Sequence, residues 1–177
     1  MDTIVCLVGK SGTGKTTIAF KLRHKYNIIQ SFTTRPRRFK NEWGHTFVEV
    51  GNSIPFHNAI AYTFFDGYKY WATREQYRHK GISIYVIDVD GIKNLKEKVK
   101  DARIITIYLE CGFFTRFIRI IKRDGFIKAI RRGYEDVIKF KYDKSNYDYV
   151  IKANENVDEV ITKIRAAILH SINYKRS

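Results

Sequence analysis

Apolar residues run unbroken from Ile4 to Val8 as Ile-Val-Cys-Leu-Val, which predicts a strand buried on both faces of a parallel sheet. Three more segments repeat the pattern, at Ile82 to Val89, Arg103 to Leu109 and Tyr147 to Lys152. Between them the apolar positions change to helical spacing. Ile18, Ala19, Leu22 and Tyr26 predict a helix over 15–26, and Val157, Ile161, Ile164 and Ile168 predict one over about 157–171. Shorter helices are expected over 73–80 after a Thr73 cap, over 92–100, over 113–122, and over a segment ending by about 141. Strands alternating with helices argue an α/β fold, with a central parallel sheet flanked by helices. Residues 31–81 break the alternation with a polar start and short aromatic-rich strands, and read as an inserted lobe at one edge.

The turn after the first strand carries the strongest chemical signal. Gly9, Lys10, Ser11, Gly12, Thr13, Gly14, Lys15 and Thr16 fit G-x-x-x-x-G-K-[ST] at every fixed position, with a strand before and a helix after. Glycines let the chain curl so that successive N–H groups point inward, and the helix adds its own donors and positive dipole end. Lys15 is expected to reach the β- and γ-phosphates of ATP, Thr16 to ligate Mg²⁺, and Thr17 to touch the α-phosphate. This loop implies a nucleoside triphosphate, but switches, motors and small-molecule kinases all use it. The length of the chain and the lack of an Asn-Lys-x-Asp segment favour a small kinase.

Charge sharpens the picture. The chain has 177 residues, with 33 Lys and Arg against 18 Asp and Glu, a net charge of +15. Such a balance suits an anionic partner, nucleic acid first and then a membrane surface or a phosphorylated small molecule, although compositional bias would also inflate lysine. At 44 % hydrophobic and 29 % charged, the chain is neither collagen-like nor globally disordered, and it is long enough for one large domain. Cys6 and Cys111 flank no disulfide framework and read as reduced thiols in a cytoplasmic protein. No apolar run reaches membrane-spanning length, the N-terminus does not read as a signal peptide, and the five histidines show no metal-ligand spacing.

Ser31-Phe32-Thr33-Thr34-Arg35-Pro36-Arg37-Arg38 places three arginines together with no acid nearby. A second phosphate site, a nucleic-acid patch and a solvated turn all remain open on the residues alone. The phosphate loop followed by S-x-T-T-R-x-x-R, Glu42, Gly44 and an aromatic resembles the guanylate kinase family, at varying strength over nearly the whole chain.

That resemblance implies transfer of the γ-phosphoryl of ATP to GMP or dGMP with Mg²⁺, in a single P-loop kinase domain. Its core would be 1–30 and 82–177, its acceptor-binding insert 31–81, and its short lid about 120–133. It assigns Ser31, Arg35, Arg38 and Tyr70 to the acceptor phosphate. Phe47 stands where the family has a phosphate-binding Tyr. Ala61 and Ala72 stand where the family has a Glu and a Ser that read guanine. Asp90 would orient the acceptor, Asp88 would hold metal-bound water, and Asn154 would touch the adenine, with a helix-capping or loop role as the plain alternative. Arg119, Lys122, Arg123, Arg131 and Arg132 bracket Asp124-Gly125, and Arg123 with Arg131 or Arg132 match the family's bridging lid arginines. The expected partners are small-molecule nucleotides and no membrane, with the chain a monomer or homodimer. The rivals are a P-loop kinase of another nucleoside monophosphate or phosphorylated small molecule, a nonenzymatic scaffold, and a nucleic-acid-binding ATPase.

Overall fold

The computed structural model describes residues 1–49, 58–139 and 146–174. In chain order the elements are β1 (Asp2–Val8), α1 (Lys15–Leu22), β2 (Asn27–Ile29), β3 (Ser31–Thr33), β4 (His45–Phe47), β5 (Ala59–Phe65), β6 (Tyr68–Thr73), β7 (Ile82–Val86), α2 (Val89–Lys98), β8 (Ala102–Glu110), α3 (Phe113–Asp124), α4 (Phe126–Lys139), β9 (Tyr149–Lys152) and α5 (Val157–Asn173). A central, mostly parallel sheet of order β2-β7-β1-β8-β9 is flanked by helices, and a second sheet has the order β4-β3-β6-β5. This is the α/β architecture expected from the alternating pattern. The expected helix end near 141 and residues 50–57 of the insert lie outside the described residues.

Met1–Cys6 and Ala19–Ile104 form one compact unit, and Leu7–Ile18 with Ile105–Ser177 form another. In the first, β2 runs parallel to β7, with Asn27 opposite Ser83. The Asn27 amide donates to Ser83 Oγ and to the Gln76 carbonyl, at 2.8 and 2.7 Å. The second sheet lies wholly in this unit. Its β5–β6 hairpin turns at Asp66-Gly67, where both residues have positive φ (53° and 80°). A two-residue Asp-Gly turn of that kind matches the natural twist of paired strands. The expected 73–80 helix is a single 3₁₀ turn at Arg74–Gln76, whose entry is held by the Gln76 side chain accepting from the Thr73 N–H.

Two boundaries move for an identifiable reason. The strand expected to reach Val89 stops at Val86, and the helix expected from residue 92 starts at Val89. Asp88 caps α2 by accepting from the Gly91 N–H at 2.8 Å, which turns the chain out of the sheet early. Gly91 is required by this tight entry, because a Cβ there would lie 2.7 Å from Ile87 Cγ1.

In the second unit β8 and β9 are parallel, with Ile107 opposite Tyr149. The Asp148 carboxylate accepts from both the N–H and the hydroxyl of Thr106, at 2.7 and 2.8 Å, and sets that register. Asn156 caps α5 by accepting from the Asp158 N–H. Ile161, Ile164 and Ile168 of the stripe read in the sequence are buried from this helix together with Val160, while Val157 is half-buried. No helix among the described residues is long and apolar enough to cross a membrane.

Tyr77 is fully buried, and its hydroxyl donates to Asp101 Oδ1 at 2.7 Å while accepting from Arg74 at 3.1 Å. Burial and the neighbouring carboxylate push its pKa up to about 12. Tyr77→Phe keeps the ring and removes this bond. It should lower the unfolding free energy by about 1 kcal/mol, read as a lower urea midpoint at unchanged slope.

Candidate functional site

The phosphate loop is built by close approach of backbone to backbone. Gly9, Gly12 and Gly14 have φ of 152°, 79° and 90°, in a region that side chains resist. Space is the second constraint. A Cβ on Gly9 would lie 2.6 Å from the Leu109 carbonyl oxygen, and one on Gly12 2.7 Å from that of Arg116. The Thr13 hydroxyl donates to the Lys10 carbonyl at 2.9 Å, closing the curl. Lys15 Nζ donates to the carbonyls of Gly9 and Lys10 and to Thr13 Oγ1. Thr16 and Thr17 are exposed on the first turn of α1, which carries no acid to compete for an anion. This donor set fits a triphosphate, and the Thr16 hydroxyl fits a magnesium ion that keeps most of its oxygen ligands from water and substrate.

The loop is anchored by residues whose role sequence reading did not find. Both oxygens of the Asp136 carboxylate accept from the Ser11 N–H, at 3.2 and 3.3 Å. Arg116 Nη1 pairs with Asp136 Oδ2 at 2.7 Å, with both side chains 7 % exposed. The same guanidinium donates to the Ser11 carbonyl through Nη1 and to the Cys111 carbonyl through Nε, both at 3.2 Å. One turn further along α3, Arg119 Nη1 reaches the Gly12 carbonyl at 3.4 Å and would lie 4.0 Å from a Cβ on Gly14. The available signal was the three-residue spacing of Arg116 and Arg119, which puts both on one helix face. The partner Asp136 is distant in sequence and was not visible.

The expected lid arginines are disposed differently. Arg123 and Arg132 both pair with Asp124, at 2.9 and 3.1 Å, and Arg132 is largely buried in doing so. Arg131 is exposed on α4. Arg119 of this basic group contacts the loop at Gly12. Asn154 Oδ1 accepts from the Gly112 N–H at 2.9 Å, at the start of α3.

In the other unit the arginine motif is organised around one carboxylate. Glu42 is buried and takes a two-pronged grip from Arg35, with Nη2–Oε1 at 2.7 Å and Nη1–Oε2 at 3.2 Å. It also accepts from the Arg38 N–H at 2.7 Å and from Arg38 Nη1 at 3.4 Å. Burial works against its charge, but Arg35 and Arg38 hold its carboxyl below the usual range. Burial likewise opposes the Arg35 charge, and Glu42 and the Tyr70 hydroxyl keep its pKa raised. Phe47 supplies a ring face instead of a hydroxyl, with Arg37 and Arg35 over it at 4.3 and 5.2 Å. Ser31 is buried and donates to the Tyr85 hydroxyl at 3.2 Å.

Strand register gathers these residues on one face. Ser31 pairs with His45 and Thr33 with Phe47 across β3–β4, and Thr33 also pairs with Tyr70 across β3–β6. Ala61 pairs directly with Ala72 across β5–β6, and both are buried. The two positions where the family reads guanine are therefore adjacent and apolar. Asp88 and Asp90 stand at the start of α2, Asp88 as its cap and Asp90 exposed in its first turn.

His45 was not singled out by its sequence. Its ring lies 5.5 Å from that of Tyr70 and 6.0 Å from that of Phe47, and its Nδ1 is buried with no hydrogen-bond partner. Burial, with the Arg35 charge behind it, pushes its pKa down to about 4, against opposition from Glu42 and a hydrogen bond to the Ser31 backbone. The signal was its two-residue spacing from Phe47, which puts both side chains on one strand face.

No protein-family model matches the sequence, and no curated protein matches it. Solved structures share its fold. A guanylate kinase from Anaplasma phagocytophilum superposes with a TM-score of 0.61 at 21 % identity, covering 92 % of this chain and 82 % of that one. A gluconokinase from Sinorhizobium meliloti 1021 gives 0.59 at 13 % identity, covering 99 % and 97 %. TT1252 from Thermus thermophilus gives 0.55 at 12 %, covering 97 % and 98 %. The fold is thus a P-loop kinase-like one, shared by proteins named for different acceptors.

Two outcomes follow from this geometry. Asp136→Ala leaves the buried Arg116 charge unpaired and should lower the unfolding free energy by about 3–5 kcal/mol, measured by urea titration. His45 is held neutral in the folded chain, whereas the unfolded chain takes up a proton below its ordinary value of 6.5. Its contribution is full above that pH and is lost as pH falls toward about 4. The stability difference between the native chain and His45→Phe should therefore shift by roughly 2–3 kcal/mol between pH 7 and 4, in favour of the variant at acid pH.

Proposed function

We propose that the chain is an ATP-dependent kinase whose acceptor is a nucleoside monophosphate, with GMP or dGMP as the first candidate. The observation that carries this reading is the pairing of two independent anion-binding constructions. One is a complete phosphate loop with Lys15, and the other a group of arginines ordered by Glu42. A switch or motor ATPase needs only the first.

Each residue then has a chemical task. The loop N–H groups and Lys15 bind the donor's phosphates, and Arg119 on α3 places a positive charge beside Gly12 and Gly14. Thr16 would hold the magnesium ion, with Asp88 as a candidate for its bound water, and the ion would supply neutralisation of charge on the β- and γ-phosphates. Arg35, Arg38 and Tyr70 grip the acceptor phosphate, and Asp90 orients the acceptor. An acceptor phosphate oxygen is already nucleophilic. The residues therefore need only bring it in line with the γ-phosphorus, exclude water and stabilise the spread charge. Arg123, Arg131 and Arg132 are candidates for that last task, which for Arg123 and Arg132 requires exchanging Asp124 for phosphate.

A second reading is favoured by one observation. Ala61 and Ala72 face each other across β5–β6, so neither position offers an acceptor for the guanine N–H groups. A site lacking such a partner discriminates poorly. A kinase for another nucleoside monophosphate, or for a different phosphorylated small molecule, fits that apolar pair.

A coupled ADP-release assay with ATP–Mg²⁺ and a panel of ribo- and deoxynucleoside monophosphates tests both. Acceptor-dependent turnover is expected, and its order across the panel identifies the base. Stimulation by polynucleotide with none by any monophosphate overturns the kinase reading. Arg38→Ala is the cleaner probe of the clamp, because removing Arg35 also strands the buried Glu42. It should raise the acceptor KM about tenfold or more and leave ATP binding unchanged, as expected for loss of a charge-assisted hydrogen bond.

A further inference from the structure

The helices α3 and α4 turn apolar side chains toward water. On α3, Phe113, Phe114 and Ile118 are 52–78 % exposed, and on α4, Phe126, Ile127, Ile130 and Tyr134 are 53–84 % exposed. Scattered exposed apolar residues are ordinary, but these form one surface. Phe113 meets Phe114 at 5.7 Å and stacks on Phe117 at 5.6 Å, and Phe117 meets Phe126 across the hairpin at 6.1 Å. A Cβ on Gly133 of α4 would lie 3.9 Å from the Phe113 ring. Phe126, Ile130 and Tyr134 recur every four residues and continue the surface along α4. At about 150–250 Å² for a whole aromatic side chain, the four exposed rings present on the order of 500 Å². The isoleucines add to that, and the largest apolar patch of a typical monomer is only about 300–600 Å².

The inward sides of these helices show that the exposure is not a core left open. They carry Arg116 and Ile120 on α3, and Ala129, Arg132 and Asp136 on α4, all buried. A surface helix normally hides its apolar stripe and shows its charges. Here three charged residues are inside and the phenylalanines outside, as suits a helix whose outer face meets an apolar medium.

The rim of the surface decides what that medium is. Exposed Lys122 lies four residues beyond Ile118, and exposed Arg131 four beyond Ile127, which sets each beside an apolar residue on its own helix. Arg123 and Lys128 are exposed on either side of the Gly125 bend. The Asp124 side chain is buried and already engaged by Arg123 and Arg132. A second copy docked face to face about a two-fold axis would press these cations against one another. An anionic bilayer answers both features, with acyl chains for the rings and headgroups for cations on long flexible stems.

We propose that the α3–α4 hairpin docks on the surface of an anionic lipid bilayer, with Phe114 and Ile127 inserted and the basic rim against the headgroups. This goes beyond the kinase reading and does not depend on it. The sequence predicts no membrane partner because no segment is long enough to cross a bilayer, and lying on its surface requires no such segment.

Co-sedimentation of the full chain with phosphatidylcholine vesicles, pure or containing about one-third phosphatidylserine, tests the proposal. The chain should bind the anionic vesicles and leave the pure phosphatidylcholine ones largely alone. Binding should weaken from 0.1 to 1 M salt, as the screening length falls from about 10 to about 3 Å. Phe114→Ser combined with Ile127→Ser keeps every charge. It should bind anionic vesicles about tenfold more weakly or worse, at an unchanged urea midpoint because both side chains are exposed. Phe114→Trp is the second probe and should show a blue shift of emission on adding anionic vesicles, beyond any shown by the native chain. Equal binding by the double variant overturns the proposal, because net charge alone then accounts for the attraction. No binding to anionic vesicles at 0.1 M salt overturns it as well, as does equal binding to pure phosphatidylcholine. Self-association of the chain that the double variant abolishes, without vesicle binding, overturns it in favour of a second copy.

Discussion

A carboxylate and a guanidinium, each almost wholly withdrawn from water, hold the most demanding backbone in the protein. Asp136 grips the Ser11 N–H and Arg116 grips the Ser11 carbonyl, while the two are joined at 2.7 Å. A pair so buried is a doubtful source of net stability, because desolvation consumes most of the Coulombic gain. Its value is positional. Both peptide groups of one loop residue are fixed by charge-assisted bonds, and neither is free to turn toward an incoming phosphate. The course of the glycine-rich backbone is set by this anchor and by the close approaches of Gly9 to Leu109 and of Gly12 to Arg116.

Charge is handled in the same way in the arginine cluster. As at the loop, a buried acid sits among the basic groups, and Glu42 keeps Arg35 and Arg38 from repelling each other. One carboxylate against two adjacent guanidinium groups leaves a net positive site that is already ordered. An anion arriving there need not spend binding energy on straightening long side chains. The net charge of +15 thus separates into a part with a defined address and a remainder spread over helix surfaces. Nucleic acid is the less economical explanation of the organised part.

Much of this was legible in the sequence because it depends on local rules. The buried strands and the amphipathic α5 follow from period alone, and the phosphate loop follows from a motif whose glycines have a steric cause. What escaped depends on contacts between distant residues. Asp136 lies 125 residues from Ser11 and looks like any helix acid. His45 gives no metal spacing, and its meaning comes from the parallel β3–β4 register that sets it beside Ser31. The adjacency of Ala61 and Ala72 is likewise a product of hairpin register, which no one-dimensional pattern displays. Asp88 shows the converse: a short-range cap overrode a run of apolar residues and moved two element boundaries.

Among the described residues, the contacts that tie the helical pair α3–α4 to the loop lie near one end. Arg116 stands close to the start of α3 and Asp136 close to the end of α4, while Gly125, with φ of 87° and open space around its Cβ position, forms the far tip. Eight residues separate Arg116 from Asp124, about 12 Å of helix at 1.5 Å per residue. Mechanically this is a lever with its fulcrum under the phosphate loop. A rotation of 10° about such a fulcrum, too small to break the bonds at Ser11, carries the tip through about 2 Å over that length. The arginines that flank the tip travel furthest, and Arg119, close to the fulcrum, hardly moves. Any such rotation would carry the outer charges through an arc and leave the backbone of the glycine loop where it is.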